Sequence, residues 1–178
     1  MQILADIMRI TTALIALYVF YATHKALGVI VFGTALFSFV FKLRKGLFLE
    51  ESRKADYWEL IGVALVLANS LIIAFVDYNN PHFAWLDIPM HLAGGVFAGL
   101  WARLALIKNG ERFDLKNIIM LLGIVALVGV FWEFFEWIID HTLGVWFSLP
   151  QVQASVDDTM GDLLFDLLGG IAVFFLKK

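Results

Sequence analysis

Six stretches of this chain are each apolar over roughly the length a helix needs to cross a bilayer. They run over about 4–22, 26–41, 57–76, 86–107, 117–139 and 158–176. A hydrocarbon core about 30 Å thick takes about 20 residues of helix at about 1.5 Å each. Lipid offers backbone groups no water to bond, so each such stretch must satisfy itself as helix. The remaining composition agrees, because 61% of the 178 residues are apolar against about 45–50% in a soluble domain. A soluble chain this short could not hide that surface. The expectation is an all-α, polytopic transmembrane bundle of six spans forming a single domain over 1–178. The second and last spans are short and suit little tilt or thinned lipid. Asp6 and Arg9 at the start of the first stretch, with no small-residue cleavage site, read as a first span rather than a signal peptide.

The charged residues orient these spans. Lys and Arg gather in cytoplasmic loops. With the N-terminus inside, twelve of the thirteen Lys and Arg fall on the inner side, and only Lys25 lies outside. This places both termini in the cytoplasm of a cell whose inner (plasma) membrane holds the chain. The connection over 42–56 is highly charged and aqueous. The connection over 140–157 contains Trp146, Phe147 and Leu149 and suits an interfacial or re-entrant piece. No basic stripe points to nucleic acid. The chain has no cysteine, which excludes disulfides, thiolate metal sites and cysteine nucleophiles.

Nine of the sixteen acids fall on the other side of this map. Asp77, Asp87, Glu133, Glu136, Asp140, Asp157, Asp158, Asp162 and Asp166 lie on outer loops or outer halves of spans, and so do His24, His82, His91 and His141. Such a field attracts cations. Three sets share helical spacing: Asp87 and His91 at i, i+4; Glu133, Glu136 and Asp140 at i, i+3, i+7; Asp158, Asp162 and Asp166 at i, i+4, i+8. Each makes a polar stripe on an apolar helix. His91, Glu133 and Asp166 each lie roughly 10 Å below the outer end of their span, so the stripes suit one outward-facing pocket. An internal repeat runs through two of them. Asp87-x3-His91-x2-Gly94-Gly95 matches Asp162-x3-Asp166-x2-Gly169-Gly170, which suggests a parallel helix pair whose glycines allow close approach.

Ionised carboxylates are costly in hydrocarbon and repel one another. A divalent cation removes both penalties. Carboxylates with one imidazole suit Mg²⁺, Mn²⁺, Fe²⁺ or Zn²⁺, and there are enough ligands for one ion or two. The candidate ligands are Asp87, His91, Glu136, Asp162, Asp166, Asp140 and Asp158, with Glu133 as candidate general base. Protonated acids hydrogen-bonded between helices, or a proton relay, remain open. Several neighbours have plainer readings. Ser155 with Asp158 forms an S-x-x-D start to the sixth helix, which competes with ligation by Asp158. Asp157, His24, His82 and His141 read as surface residues. Asn69 suits a bridge between helices. Arg103 suits snorkelling to the inner face. Trp85, Trp132, Trp137 and Trp146 suit an outer aromatic belt. Glu59, near the inner end of its span, is unrelated to the outer site.

The run of Asp87, His91, Gly94 and Gly95, then Trp132-Glu133-x2-Glu136, then Asp162, Asp166, Gly169 and Gly170 resembles the YjdF-like family of small inner-membrane proteins. It is more distantly similar to VanZ-like proteins. The resemblance covers about residues 85–172 and implies a membrane location without an activity. From the residues themselves, the favoured function is a metal-dependent membrane hydrolase acting on a lipid or lipid-linked substrate. The rivals are a divalent-cation or proton transporter and a scaffold subunit of a membrane complex. A homo-oligomer or a partner membrane subunit stays open.

The orientation is directly testable in a chain free of cysteine. Phe48→Cys and Gly110→Cys should be shielded from a membrane-impermeant thiol reagent in intact cells, while Asn80→Cys and Gly144→Cys should react. The opposite pattern would place the acidic stripes inside.

Overall fold

The computed structural model describes residues 1–22, 25–40, 53–75, 84–106, 114–147, 153 and 155–176. Among them there are six long helices and no strand: α1 Gln2–Ala22, α2 Lys25–Val40, α3 Arg53–Phe75, α4 Asp87–Leu106, α5 Leu115–Ile139 and α6 Val156–Ala172. Each coincides with one of the six apolar stretches to within a few residues. Asp77, His24 and His82 lie outside the described residues, as does most of the charged 42–56 connection. α1 and the continuous rod over Leu115–Gly144 are long and apolar enough to cross a membrane, at 21 and 30 residues.

The chain divides into two compact units. The first contains α1, α2 and α3, which pack on one another. The buried face of α1 carries Ala5, Arg9, Thr12, Ala16 and Val19, a spacing near 3.5 that presents one stripe to the neighbouring helices. Its exposed residues include Ile3, Ile7, Ile10, Leu14 and Leu17. Polar and small groups are therefore inside and large apolar groups outside, the reverse of a water-soluble helix. Close approach of α1 and α2 is possible because residue 28 is glycine. A Cβ there would strike the backbone of Phe20.

Arg9 joins all three helices of this unit. It is 1% exposed. Its Nη2 donates to Glu59 Oε1 on α3 at 2.6 Å and to the Ser38 carbonyl on α2 at 3.1 Å. Nη1 donates to Asp6 Oδ1 at 2.8 Å and Nε to the Ser38 carbonyl at 3.3 Å. The guanidinium also lies over the Phe39 ring, 5.4 Å from its centroid. Only a planar fork of donors serves two carboxylates and a carbonyl at once. Glu59 thus has an interhelical role that its position in the sequence does not reveal. Between α2 and α3, the Thr34 and Ser70 hydroxyls meet at 3.4 Å. The short π-helical turn Asp140–Gly144 and the helical turn Val145–Phe147 continue the α5 rod and cluster with this unit.

The second unit contains α4, α5 and α6. Local chemistry marks where these helices begin. Pro89 sits in the first turn of α4, where its missing N–H costs nothing. Asp114 caps α5 by accepting from the Asn117 N–H at 2.7 Å. Ser155 caps α6 by accepting from the Asp158 N–H at 3.1 Å. At the opposite end of α6, Arg103 of α4 donates to the carbonyls of Val173 and Leu176 at 3.1 and 3.0 Å. The reach toward the chain end expected of a snorkelling Arg103 thus has partners, carbonyls of the turn that follows α6, where a cation is also favoured by the helix dipole.

Removing one member of a buried ion pair typically costs about 3–5 kcal/mol, while replacing the pair with packed apolar groups is close to neutral. Arg9→Ala and Glu59→Ala should each strongly lower the midpoint of thermal unfolding in detergent. The double variant Arg9→Met with Glu59→Leu should recover most of the loss. Additive single losses in the double variant would show that Arg9 acts by packing alone.

Candidate metal centre

α4 and α6 pack together more extensively than any other pair, and glycines allow it. A Cβ at Gly95 would strike the backbone of Asp166, and one at Gly169 would strike the backbone of Leu92 and Val96. One turn further along, Gly99 lies against Gly170 and Val173. The pairing advances in the same direction on both helices, so they run parallel, as the internal repeat suggests. The contact is not symmetric, however. Gly170 faces Val125 of α5, and Gly94 has only the Asp166 carboxylate within reach. Gly95 and Gly99 are four residues apart, the small-residue spacing that brings membrane helices into backbone contact.

This approach lodges His91 between two successive turns of α6. Its Nδ1 faces Asp166 Oδ1 at 3.4 Å, and its Nε2 faces Asp162 Oδ1 at 3.8 Å and Asp87 Oδ1 at 3.8 Å. His91, Asp162 and Asp166 are buried, and Asp87 is partly open at the mouth. The two ring nitrogens therefore have different jobs available. Nδ1 is taken up by Asp166, which fixes the ring's orientation. Nε2 is presented to two carboxylates.

One ligand atom each from Asp87, His91 and Asp162 lies within 4.8 Å of the others. Two ligands of one ion, each about 2.1 Å from it, can lie at most about 4.2 Å apart. Both Nε2 to carboxylate distances of 3.8 Å meet that limit, and rotation of the partly open Asp87 can close the rest. The donor set of two carboxylates and one imidazole suits a hard or borderline divalent ion. A carboxylate on the second nitrogen of a ligating histidine is the usual support for such a site.

The other residues marked in the sequence are placed as follows. Asp166 sits on the far side of His91, outside the three converging atoms, and a Cβ at Gly129 would strike its second oxygen. It is thus clamped between α4 and α5. Glu133 of α5 is 5% exposed and lies one helical turn along α5 from Gly129. Its Oε2 accepts from Gln153 Nε2 at 3.2 Å, while its Oε1 is buried with no hydrogen-bond partner among the described residues. Glu136 is half-buried on α5, outside the converging set. Asp158 lies in the capped first turn of α6, and Asp140 begins the π-helical turn that clusters with the first unit.

Sequence patterns single out neither Gln153 nor Thr159. The Gln153 amide donates to Thr159 Oγ1 at 2.6 Å as well as to Glu133, so both of its N–H groups are engaged. Thr159 lies three residues before Asp162 on α6, a spacing that marks a shared face. Gln153 precedes the helix, and its role depends on how the chain bends there. Glu133, Gln153 and Thr159 line one end of a cleft of about 290 Å³, whose walls are Val130, Phe134, Trp137 and Leu163.

A family model described as "Predicted membrane protein (DUF2238)" matches residues 5–177, nearly the whole chain. No curated protein and no solved structure matches it.

The glycine contacts predict a sharp contrast within one residue type. Gly95→Ala and Gly169→Ala force helix backbones apart and should each cost about 1–3 kcal/mol, the range for overpacking. Gly123 and Gly161 have nothing within 4 Å of an added Cβ. Alanine there should be neutral or stabilise by about 0.5–1 kcal/mol through helix propensity. Thermal unfolding of the four variants in one detergent checks this. Equal losses at all four sites would refute the close crossing.

Proposed function

We propose that this chain, which belongs to the DUF2238 family of predicted membrane proteins, is a six-span metal-dependent hydrolase acting on a lipid or lipid-linked substrate at the outer leaflet. The observation that carries the reading is the convergence of ligand atoms from Asp87, His91 and Asp162 within 4.8 Å, backed by Asp166 on the other nitrogen of His91. Asp87, His91 and Asp162 would hold one divalent ion, and Asp166 would orient the imidazole. A second ion would draw on Glu136. The same reading keeps the YjdF-like resemblance of residues 85–172 and the outward-facing site with cytoplasmic termini.

A bound divalent ion supplies a water of lowered pKa. Glu133 would accept a proton during hydrolysis of an ester or amide and return it to the departing alkoxide or amine. Two features support this role for Glu133. Gln153 holds one of its oxygens, and the other is left without a partner. A general base needs to be both positioned and available. The cleft beside it supplies apolar walls for a lipid.

Elemental analysis of protein purified without chelator should find a divalent ion. Asp162→Ala should lose it, and Asp166→Asn should weaken its retention by about 10–100-fold, the usual effect of removing such a support. Glu133→Gln should keep the ion and lose turnover of lipid esters or amides. Metal-free protein whose unfolding is indifferent to added Mg²⁺, Mn²⁺, Fe²⁺ or Zn²⁺ would mean that protonated, hydrogen-bonded acids, rather than a bound ion, relieve the repulsion in the cluster. Site-dependent flux of the ion into sealed liposomes would replace the hydrolase with a transporter.

A further inference from the structure

Asn69 is a polar group that the first unit does not use. From residue 58 to residue 75 of α3, Glu59 is the one charged residue. Asn69 lies six residues before Phe75, about 9 Å of helix from that end and within the apolar run. The hydroxyl residues of the same unit spend their hydrogens on their own helices. Thr12, Thr34, Ser38 and Ser70 each donate to a carbonyl three or four residues back, at 2.9, 2.8, 2.6 and 2.8 Å. Groups so bonded need no further helix. An asparagine amide carries two donors and an acceptor. Among the described residues, that of Asn69 bonds to no backbone or side-chain group. The bridge between helices that its place in the sequence suggests is therefore not made within the unit.

The face that carries Asn69 is otherwise apolar and open. Leu65, Ala68, Asn69 and Ile72 stand at i, i+3, i+4 and i+7, one side of a helix. Leu65, Asn69 and Ile72 are partly exposed and Ala68 is exposed, whereas Glu59, Val63 and Ser70 on the other side are buried. Ala64 and Ala68 have the small-residue spacing that lets another backbone come close. Lipid tails can cover the apolar side chains but offer the amide nothing. What fits this face is a helix that brings a donor and an acceptor to the depth of Asn69. A second copy does so by symmetry. Two copies in one membrane share their orientation, so a two-fold axis along the membrane normal relates them. A residue near that axis meets its own copy at equal depth, and an amide is complementary to itself. An unrelated helix would need a matching polar group at that depth by coincidence.

We infer that α3 is a self-association surface, on which two copies of this chain pack through Leu65, Ala68 and Ile72 while their Asn69 amides hydrogen-bond to each other. The inference rests on the six-span reading for the depth of Asn69, and not on the hydrolase.

The test uses the full chain in phosphatidylcholine vesicles over a range of protein-to-lipid ratios, with donor or acceptor dye on Lys178→Cys. Energy transfer should rise with protein density to the plateau of a dimer. Asn69→Leu should raise the protein density needed for half-pairing by about 3–30-fold, the range for hydrogen bonds between membrane helices. Asn69→Gln keeps an amide and should stay within about threefold of the parent. Ala68→Phe should abolish pairing with helix content unchanged. Monomers at every density, or pairing that both Asn69→Leu and Ala68→Phe leave untouched, would overturn the inference. Without dye, Leu65→Cys, Ala68→Cys and Ile72→Cys should resist a water-soluble maleimide from both sides of the membrane, and at least one should cross-link between copies on mild oxidation. Free reaction of all three with maleimide would overturn the inference together with the six-span reading. Shielding of all three without any cross-link would overturn the inference alone.

Discussion

The backbone contact between α4 and α6 sets the distances on which the candidate centre depends. Gly95 lies against the main chain of Asp166, and Gly169 against that of Leu92 and Val96. Helices ordinarily pack 8–10 Å apart, with side chains between them. Here the side chains are absent at the crossing, so those one turn nearer the start of each helix meet directly. His91 then falls between Asp162 and Asp166 instead of opposite one of them. A wider crossing would leave the same four residues on facing helices without bringing both ring nitrogens within reach of carboxylates. Burial follows from the same contact, because the close helices exclude other groups from around His91.

The two units answer one constraint in different ways. A group buried in a membrane protein has no water to fall back on, so each polar atom needs a protein partner or a ligand. In the first unit Arg9 meets that demand with protein partners alone: two carboxylates, a carbonyl and an aromatic face. Charges balance locally, and the result is a tie between three helices. In the second unit Asp87, Asp162 and Asp166 share one histidine, and the cation nearest in sequence on α4, Arg103, is spent on carbonyls beyond the end of α6. Carboxyl groups outnumber cationic groups there, an excess that protons or a divalent ion would relieve. This difference in charge accounting is why the first unit reads as scaffold and the second as site.

Division of labour around His91 also distinguishes residues that the repeat makes formally equivalent. Asp87 and Asp162 occupy matching positions, and both face Nε2. His91 and Asp166 occupy the next matching positions, and they face each other. In the proposed centre one pair would supply ligand atoms, and the other a ligand with its support. Had residue 166 been a second histidine, Nδ1 of His91 would lose the carboxylate that faces it. The asymmetry of the glycine contacts has the same origin. Once Gly170 turns to Val125 of α5, the pseudo-symmetry of the α4 and α6 pair is broken by the third helix, and Glu133 enters from that side.

By itself, the sequence determined the helices and the spacing of the acids along them. Apolar runs of bilayer length, cap residues such as Asp114 and Ser155, and i, i+4 spacing are local properties, and the helices that form match them closely because lipid permits little else. The parallel pairing of α4 and α6 was legible too, through the repeated glycines. Tertiary structure alone decided which atoms meet. Whether Asp166 ligates or orients depends on which face of His91 it approaches, a matter of crossing distance and register that spacing cannot encode. The same holds for Gln153, which reaches Glu133 from a bend with no periodicity to announce it. Arg9 and Glu59 are 50 residues apart, and their attraction becomes visible only when α1 and α3 are side by side. Spacing along one helix reports on that helix, whereas contacts between helices depend on how they are packed.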